Sequence, residues 1–166
     1  MVEEYLFKEE TDNIISAFYE VYNSLGYGFL ERVYQNALYQ ELKRRGFQCE
    51  VQKQIKVFFK GREVGEYYAD IVVDDKIILE LKACDKICPE HKAQLLNYLK
   101  ATTIEVGLLL NFGAGLQRLA THYPKDTGFQ RGCAPLVGIS GATPLSRPPQ
   151  RAKTFLRPQA LPEKRF

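Results

Sequence analysis

The sequence predicts a mixed α/β fold, of the α+β kind, in which helices pack on one mixed sheet. Three observations lead to this prediction. Two stretches with helical apolar spacing open the chain, three strand-like stretches follow them closely, and a further helix precedes a last apolar run. A length of 166 residues can bury one good core, so one folded domain is expected.

The first two predicted elements are helices. Apolar residues recur at helical spacing from about Asp12 to Leu25, with a cap expected among Thr11–Asn13. A second helix is expected from about Phe29 to Arg45, where basic residues fill the last turn and Gly46 follows. Glu31 therefore lies in the first turn of the second helix.

The middle of the chain predicts an antiparallel meander of three strands. Apolar and polar residues alternate from Cys49 to Phe59, and the turn Lys60–Arg62 leads into a second strand that ends near Val73. A third strand is expected from Ile77 to Ala83.

The turn between the second and third strands is predicted to have an odd number of residues, Asp74–Lys76. The odd-numbered positions on both sides of this turn are apolar: Ala69, Ile71, Val73, Ile77, Leu79 and Leu81. Because side chains alternate along a strand, only an odd turn puts both apolar rows on one side of the sheet. This register sets Asp70 opposite Glu80, and Lys82 shares their face.

A third helix and a buried strand complete the predicted core. The helix is expected from Glu90 to about Thr102, with Pro89 at its first position, and the strand from Glu105 to Asn111. The strand should run parallel to the third strand of the meander, because a helical crossover joins the two. The stretch from Leu116 to His122 is compatible with one or two helical turns.

Charge divides the chain into two parts near Gly113. Residues 1–113 hold 14 Lys and Arg against 18 Asp and Glu, whereas residues 114–166 hold nine against two. Seven of the eight prolines also lie in the second part. We therefore predict one domain over residues 1–113 and a basic, Pro-rich, largely disordered tail over residues 114–166.

The composition also predicts where the protein is found. No apolar run approaches the length of a membrane span, and the acidic N-terminus lacks the features of a secretory signal. The four cysteines, Cys49, Cys84, Cys88 and Cys133, form no recognisable disulfide framework. These observations predict a cytoplasmic protein with no membrane partner.

The polar face that carries Asp70, Glu80 and Lys82 predicts a metal site. Carboxylates on adjacent strands supply the oxygen ligands that Mg²⁺ takes, together with water and substrate phosphate. Glu31 offers a third carboxylate, and Leu81 offers a backbone carbonyl. Lys82 is placed either to hold or polarise a metal-bound water, or to meet the charge that develops on a phosphate in a transition state. Clustered acids repel one another without a cation, which itself favours a metal.

Each of these features also has an ordinary structural explanation. The segment Glu80–Lys82, taken alone, is more typical of a solvated strand face, and the matching aspartate brings the two interpretations close to even. Glu31 at a helix start, taken alone, is better explained as an acid favoured by the helix dipole. Gln94 and Tyr98, one turn apart on the third helix, are by default the flank of an amphipathic helix.

The motifs together resemble those of one nuclease superfamily. Asp70 followed by Glu80-Leu81-Lys82 resembles the D…(D/E)-X-K signature of the PD-(D/E)XK nuclease superfamily. The segment Gly28–Tyr34 matches the motif that names the GxxExxY family within it. The segment Gln94–Tyr98 is similar to the Q-x-x-x-Y motif of some exonuclease branches. Ala69 stands where the superfamily name has proline, a position without a chemical role.

The resemblance, which covers about residues 8–113, implies a fold and a set of residue roles. The fold is a restriction-endonuclease-like αβββαβ core, here with an extra N-terminal helix. The implied catalytic residues are Glu31, Asp70, Glu80 and Lys82; the implied metal ligands are Glu31, Asp70, Glu80 and the Leu81 carbonyl; Gln94, Tyr98 and Tyr34 are implied to position the substrate.

The function implied by the resemblance is phosphodiester hydrolysis in nucleic acid, expected to be DNA, with Mg²⁺ as cofactor and Mn²⁺ as a substitute. The alternative is a catalytically silent module that keeps the fold and binds nucleic acid or another partner. The acidic composition of residues 1–113 gives this alternative some weight, because non-specific DNA binding normally needs a basic surface.

Overall fold

The computed structural model describes residues 6–125, where the chain forms three helices and one five-stranded sheet. The helices are α1 (Lys8–Leu25), α2 (Glu31–Arg44) and α3 (Pro89–Ala101). The strands are β1 (Cys49–Phe59), β2 (Arg62–Val73), β3 (Ile77–Lys82), β4 (Val106–Asn111) and β5 (Gln117–His122).

The strands lie in the sheet in chain order, β1-β2-β3-β4-β5. Strands β3 and β4 are parallel and α3 connects them, while the other three pairs are antiparallel. The predicted parallel return is therefore confirmed, and so is the mixed α/β fold class. No helix within residues 6–125 has the length and apolar character needed to cross a membrane.

The β2–β3 hairpin has the predicted register. Val73 pairs with Ile77 and Ile71 pairs with Leu79, so residues 74–76 form a three-residue turn. Asp74 and Asp75 adopt left-handed backbone conformations in this turn, with φ of 51° and 55°. Aspartate enters that region more readily than most residues. These pairs end one position before Asp70 and Glu80, where the side chain of Asp70 accepts a hydrogen bond from the Leu81 N–H.

Helices cover both faces of the sheet. Helices α1 and α2 bury one face, where apolar side chains of β2, β3 and β4 join a single cluster with Phe18 and Leu38. Helix α3 buries the other face, where Val72, Ile78 and Leu109 pack with Leu95. Because Glu80 belongs to the face under α3, it is buried instead of solvated.

One residue of the predicted apolar row lies elsewhere. Ala69 packs in the α3 cluster together with Val72, whereas Ile71 packs in the opposite cluster. Alternation is interrupted between Ala69 and Ile71, at Asp70. Opposite this position β1 contains Gln52, whose backbone is left-handed with φ of 53°. The prediction that all six odd positions share one side is therefore wrong at Ala69.

Helix α1 begins four residues earlier than predicted. Thr11–Asn13 lie inside the helix, so their prediction as caps is wrong. The helix follows Phe7, which has a left-handed backbone and provides no side-chain cap. Glu9 and Glu10 in the first turn are favourable beside the positive end of the helix dipole.

The helical turns considered for residues 116–122 are also wrong, because Gln117–His122 forms β5. This strand pairs with β4 along its whole length, from Val106 with His122 to Asn111 with Gln117. Without β5, the fully buried β4 would leave its backbone groups unpaired along one edge. The sheet thus continues beyond Gly113. From residue 126 onward, the predicted disordered tail lies outside the described residues.

Candidate active site

Asp70 is held where β2 approaches the end of β3. Its Oδ2 accepts a hydrogen bond from the backbone N–H of Leu81 at 2.8 Å. Its Oδ1 accepts bonds from the side-chain amides of Gln52, at 3.1 Å, and Gln35, at 3.3 Å. The carboxylate thus takes the place of a backbone acceptor for Leu81, which fixes it beside the strand.

Glu80 is the most deeply buried acid of the cluster. The residue is 1% exposed, and its Oε1 accepts a hydrogen bond from Lys82 Nζ at 2.6 Å. Its Oε2 is buried and has no hydrogen-bond partner among residues 6–125. Burying a carboxylate oxygen without a hydrogen-bond partner costs more free energy than burying a neutral polar group in the same way.

Glu31 is the first residue of α2, which directs it to the end of β3. The charge of Lys82 and the backbone N–H of Ala83 both lower the pKa of its carboxyl group. Burial nevertheless dominates and raises the pKa of Glu31. The structure therefore brings Glu31 into the same charged cluster as Asp70 and Lys82.

The three acids share one electrostatic environment. Burial, followed by the charge of Asp70, raises the pKa of Glu80 from 4.5 to about 7. Burial also raises the pKa of Asp70, against the opposing effects of the Leu81 N–H and of Lys82. The cluster therefore holds more carboxyl groups than the positive charge of Lys82 can compensate.

Lys82 is a cation that all three acids share. Burial alone would lower its pKa, but the hydrogen bond to Glu80 and the charges of Glu80, Glu31 and Asp70 outweigh burial and raise it. The side chain is only 15% exposed. Lys82 is accordingly a permanent positive charge in a site from which most solvent is excluded.

Gln94 and Tyr98 reach the cluster from α3. Gln94 Nε2 donates a hydrogen bond to Tyr98 Oη at 2.6 Å. Burial raises the pKa of Tyr98, and the charges of Glu80 and Asp70 add to this effect. The Tyr98 ring also lies 5.6 Å from the Tyr67 ring of β2, measured between centroids. Tyr98 is thus a buried neighbour of the acids.

Tyr34 lies apart from the acids. Its ring is fully buried and stacks on Phe112 at 4.4 Å between centroids. Its hydroxyl donates to the Gly26 carbonyl at 2.9 Å and accepts from the Phe29 N–H at 3.2 Å. Tyr34 therefore holds the α1–α2 connection that directs Glu31.

Two glutamines of this site were missed in the sequence. Gln35 Nε2 donates to the Asp70 carbonyl at 3.0 Å as well as to its carboxylate. Its position one helical turn after Glu31 was the available signal, since residues four apart share a helix face. Gln52 was identifiable only from the β1–β2 register, which sets it opposite Asp70.

A third missed residue, Asn111, organises the chain after Lys82. It is fully buried at the end of β4, beside Lys82 in the parallel pair. Its Oδ1 accepts from the backbone N–H groups of Cys84, at 3.0 Å, and Gly113, at 3.1 Å, and its Nδ2 donates to the Cys84 carbonyl at 2.8 Å. An asparagine that ends a fully apolar strand was the available signal.

The acids of this cluster are candidate ligands for a metal ion. In the described part of the chain, no group of three or more His, Cys, Asp and Glu side chains is arranged so that it could hold one. Magnesium commonly takes only one or two protein carboxylates. The unpartnered Oε2 of Glu80 and the surplus of acids therefore fit a divalent cation.

Comparison with known proteins gives a family and similar solved structures, one of which is that of SSO0001. A model of the PD-(D/E)XK nuclease superfamily matches residues 8–122. The crystal structure of SSO0001 is 23% identical in sequence, with a TM-score of 0.47, and the match covers 70% of this chain and 63% of that one. The chain thus spans less than two thirds of the solved chain. No curated protein matches the sequence.

Proposed function

This chain belongs to the PD-(D/E)XK nuclease superfamily, and we propose that it is a Mg²⁺-dependent nuclease that hydrolyses phosphodiester bonds in DNA. The observation that carries the proposal is Glu80, a buried carboxylate with Lys82 on one oxygen and no partner among residues 6–125 on the other. We further propose, from the segment Gly28–Tyr34, that the chain belongs to the GxxExxY family of this superfamily.

Glu31, Asp70, Glu80 and the Leu81 carbonyl would hold the cation, with Mn²⁺ as a substitute for Mg²⁺. Because no three acids of the described residues are arranged to hold an ion together, at least one of these side chains would have to move when the cation binds. When bound, the cation would polarise the scissile phosphate and offset the repulsion among the acids. The raised pKa values of all three acids support this assignment, because each reflects a carboxylate short of positive charge in a buried site.

Lys82 would stabilise the negative charge that develops on the phosphoryl oxygens. Its charge is held beside Glu80 where little solvent reaches, and in such a place an oriented charge acts more strongly than it would in water. The bond to Glu80 also fixes the direction of its long side chain. Lys82 can therefore act without a large rearrangement.

Several residues would act by positioning the acids. Gln35 and Gln52 hold the Asp70 carboxylate from two different elements. Tyr34 would act through the connection that leads to Glu31. We propose that Gln94 and Tyr98, which meet the cluster from α3, orient the substrate beside it.

The test is cleavage of supercoiled plasmid and of single-stranded DNA by the full chain, with Mg²⁺ or Mn²⁺ and with a chelator. Asp70→Ala should lower the cleavage rate by about 100-fold or more, because it removes an acid held at the centre of the site. Glu41→Gln, at the far end of α2, is the matched control and should cleave like the wild type. Undiminished activity of Asp70→Ala would overturn the proposal.

A second candidate is a catalytically silent module that keeps the nuclease fold and binds nucleic acid or another partner. Residues 6–125 contain sixteen Lys and Arg and sixteen Asp and Glu, so the described part has no excess of positive charge to attract DNA. Tight DNA binding without cleavage under both metals would favour this candidate. For either function we propose a cytoplasmic location, which suits the free thiols of Cys49, Cys84 and Cys88.

A further inference from the structure

The connection between α1 and α2 exposes a group of large apolar side chains. Tyr27, Phe29 and Leu30 are 65%, 48% and 80% exposed. We call residues 26–30 the aromatic loop. Contiguous exposed apolar side chains are uncommon on soluble proteins and mark binding surfaces.

The aromatic loop is held in a defined conformation. The buried Tyr34 hydroxyl bonds to the backbone at both Gly26 and Phe29. The Phe29 ring also meets the Tyr34 ring edge-on, at 6.2 Å between centroids. Gly28 has a φ of 107°, which side chains rarely allow, so the chain turns sharply between the two exposed rings. The rings are therefore presented on a preorganised backbone, which lowers the entropy lost on binding.

The aromatic loop leads directly into the proposed site. Leu30 precedes Glu31, whose carboxyl group is influenced by Lys82 and Asp70. A strand of nucleic acid with a phosphate beside Lys82 would thus have its neighbouring nucleotides close to the loop. The described residues carry no net charge, so the phosphates alone provide little affinity. Stacking of bases on aromatic rings is a source of affinity that does not depend on charge.

We propose that the aromatic loop binds unpaired bases of single-stranded DNA by stacking, with Tyr27 as the main contact. The choice of DNA rests on the proposed function. Bases in a duplex are already stacked on one another, so the loop would favour single-stranded DNA or the unpaired end of a duplex. Tyr27 and Phe29 would then set the strand preference of the site.

The tip of the β1–β2 hairpin supplies a matched control. Phe58 and Phe59 are 57% and 58% exposed, comparable to the rings of the aromatic loop. They lie at the other end of β1 from Gln52, which contacts Asp70. If any exposed aromatic ring contributed to DNA binding, substitution at either place would weaken it. If bases stack beside the proposed site, only substitution in the aromatic loop should weaken binding.

The experiment measures binding of the full chain to labelled oligothymidylate and to a blunt duplex of equal length, by fluorescence anisotropy in the presence of a chelator. Tyr27→Ala should weaken single-strand binding about 10-fold or more, as expected for the loss of one stacked base, and change duplex binding less than about 2-fold. Tyr27→Phe should retain binding, and Phe58→Ala should bind like the wild type. An unchanged melting temperature would show that Tyr27→Ala is folded.

The inference would be overturned if Tyr27→Ala lost single-strand and duplex binding equally, or if Phe58→Ala lost as much binding as Tyr27→Ala. It would also be overturned if the wild type showed no preference for single strands. A changed oligomeric state of Tyr27→Ala would overturn it too, because the loop would then bind a second copy of the chain. Metal-dependent cleavage with normal single-strand binding by Tyr27→Ala would remove this inference alone. Selective loss of binding in a protein that never cleaves would remove the proposed function and leave the aromatic loop assigned.

Discussion

The ends of helix α2 and strand β3 each carry a glutamate bonded to cationic side chains, but the two carboxyl groups behave oppositely. At the end of α2, Glu41 accepts hydrogen bonds from Arg44, at 2.7 and 2.8 Å, and from Arg45, at 2.6 Å. These bonds lower its pKa from 4.5 to about 2. At the end of β3, burial raises the pKa of Glu80 to about 7 despite its bond to Lys82.

The difference follows from the balance of charge and solvent at each place. Two arginines serve one acid at Glu41, and Arg44 is 70% exposed, so water also stabilises the charges. At Glu80 one lysine is shared by three acids, of which Glu80 is buried and Glu31 and Asp70 are half-buried, and burial disfavours every carboxylate in the cluster. Lys82 stabilises the ionised form of Glu80, but burial and the charge of Asp70 outweigh this effect. The β3 cluster is short of positive charge, which is the condition that a divalent cation would relieve.

The largest expected effect separates the two glutamates by activity. Glu80→Gln removes a charge from the proposed metal site and should reduce cleavage of plasmid DNA by about 1000-fold or more. Glu41→Gln should leave the rate within about 2-fold of the wild type. Initial rates in Mg²⁺ measure both. Equal rates for the two variants would contradict the assignment of Glu80.

The second prediction concerns stability without metal. Because the pKa of Glu80 rises on folding, its contribution to stability is full below pH 4.5 and is lost as the pH rises through about 7. Glu80→Gln should therefore be more stable than the wild type at pH 8, by roughly 2–3 kcal/mol, and equal to it near pH 4. Urea unfolding at the two pH values in a chelator is the measurement. If Glu80→Gln were less stable than the wild type at pH 8, the prediction would be wrong, because the ionised Glu80 of the wild type would then stabilise the fold.

The third prediction is that Mg²⁺ stabilises the folded wild-type protein. At ten times the dissociation constant a bound ion adds about 1.4 kcal/mol, which raises the melting temperature by about 5 °C. The increase should disappear in Glu80→Gln and persist in Glu41→Gln. Thermal melts at pH 8 with increasing Mg²⁺ test this, and an identical increase in all three proteins would place the ion elsewhere.

The smallest expected effect is at Glu41. Its pKa is lowered on folding, so its contribution is present above pH 4.5 and is lost as the pH falls towards 2. Glu41→Gln should be slightly less stable than the wild type at pH 7, because ion pairs with exposed partners contribute little. This change is opposite in sign to that of Glu80→Gln. Urea midpoints at pH 7 and pH 3 test it, and a gain in stability at pH 7 would contradict the comparison.

Local patterns were sufficient to predict much of this fold. Helical and strand periodicity located α2, α3 and the first four strands within one to three residues, because each buries a regular apolar row. The odd turn at Asp74–Lys76 followed from the same rows, and the pairing of Val73 with Ile77 confirms it. Glu31 was identified by its motif and its place in the first turn of α2.

Other features depend on contacts between distant segments. Strand β5 forms because β4 needs a neighbour, and its own sequence has no clear alternation. The break at Asp70 lies opposite the left-handed backbone of Gln52, a residue eighteen positions away whose side chain also donates to Asp70. Gln35 and Asn111 have roles only once a helix end and two strand ends meet.

The sequence by itself determined which acids could meet, since periodicity sets the face on which each side chain lies. Only the tertiary structure decided how deeply these acids are buried and which hydrogen bonds they form. Helix α3 covers the face for which a solvated strand was the alternative interpretation, so Glu80 is buried, its pKa is raised and one oxygen has no partner among residues 6–125. The burial of Glu80 results from contacts with several distant elements, so it cannot be predicted from the sequence of β3 alone.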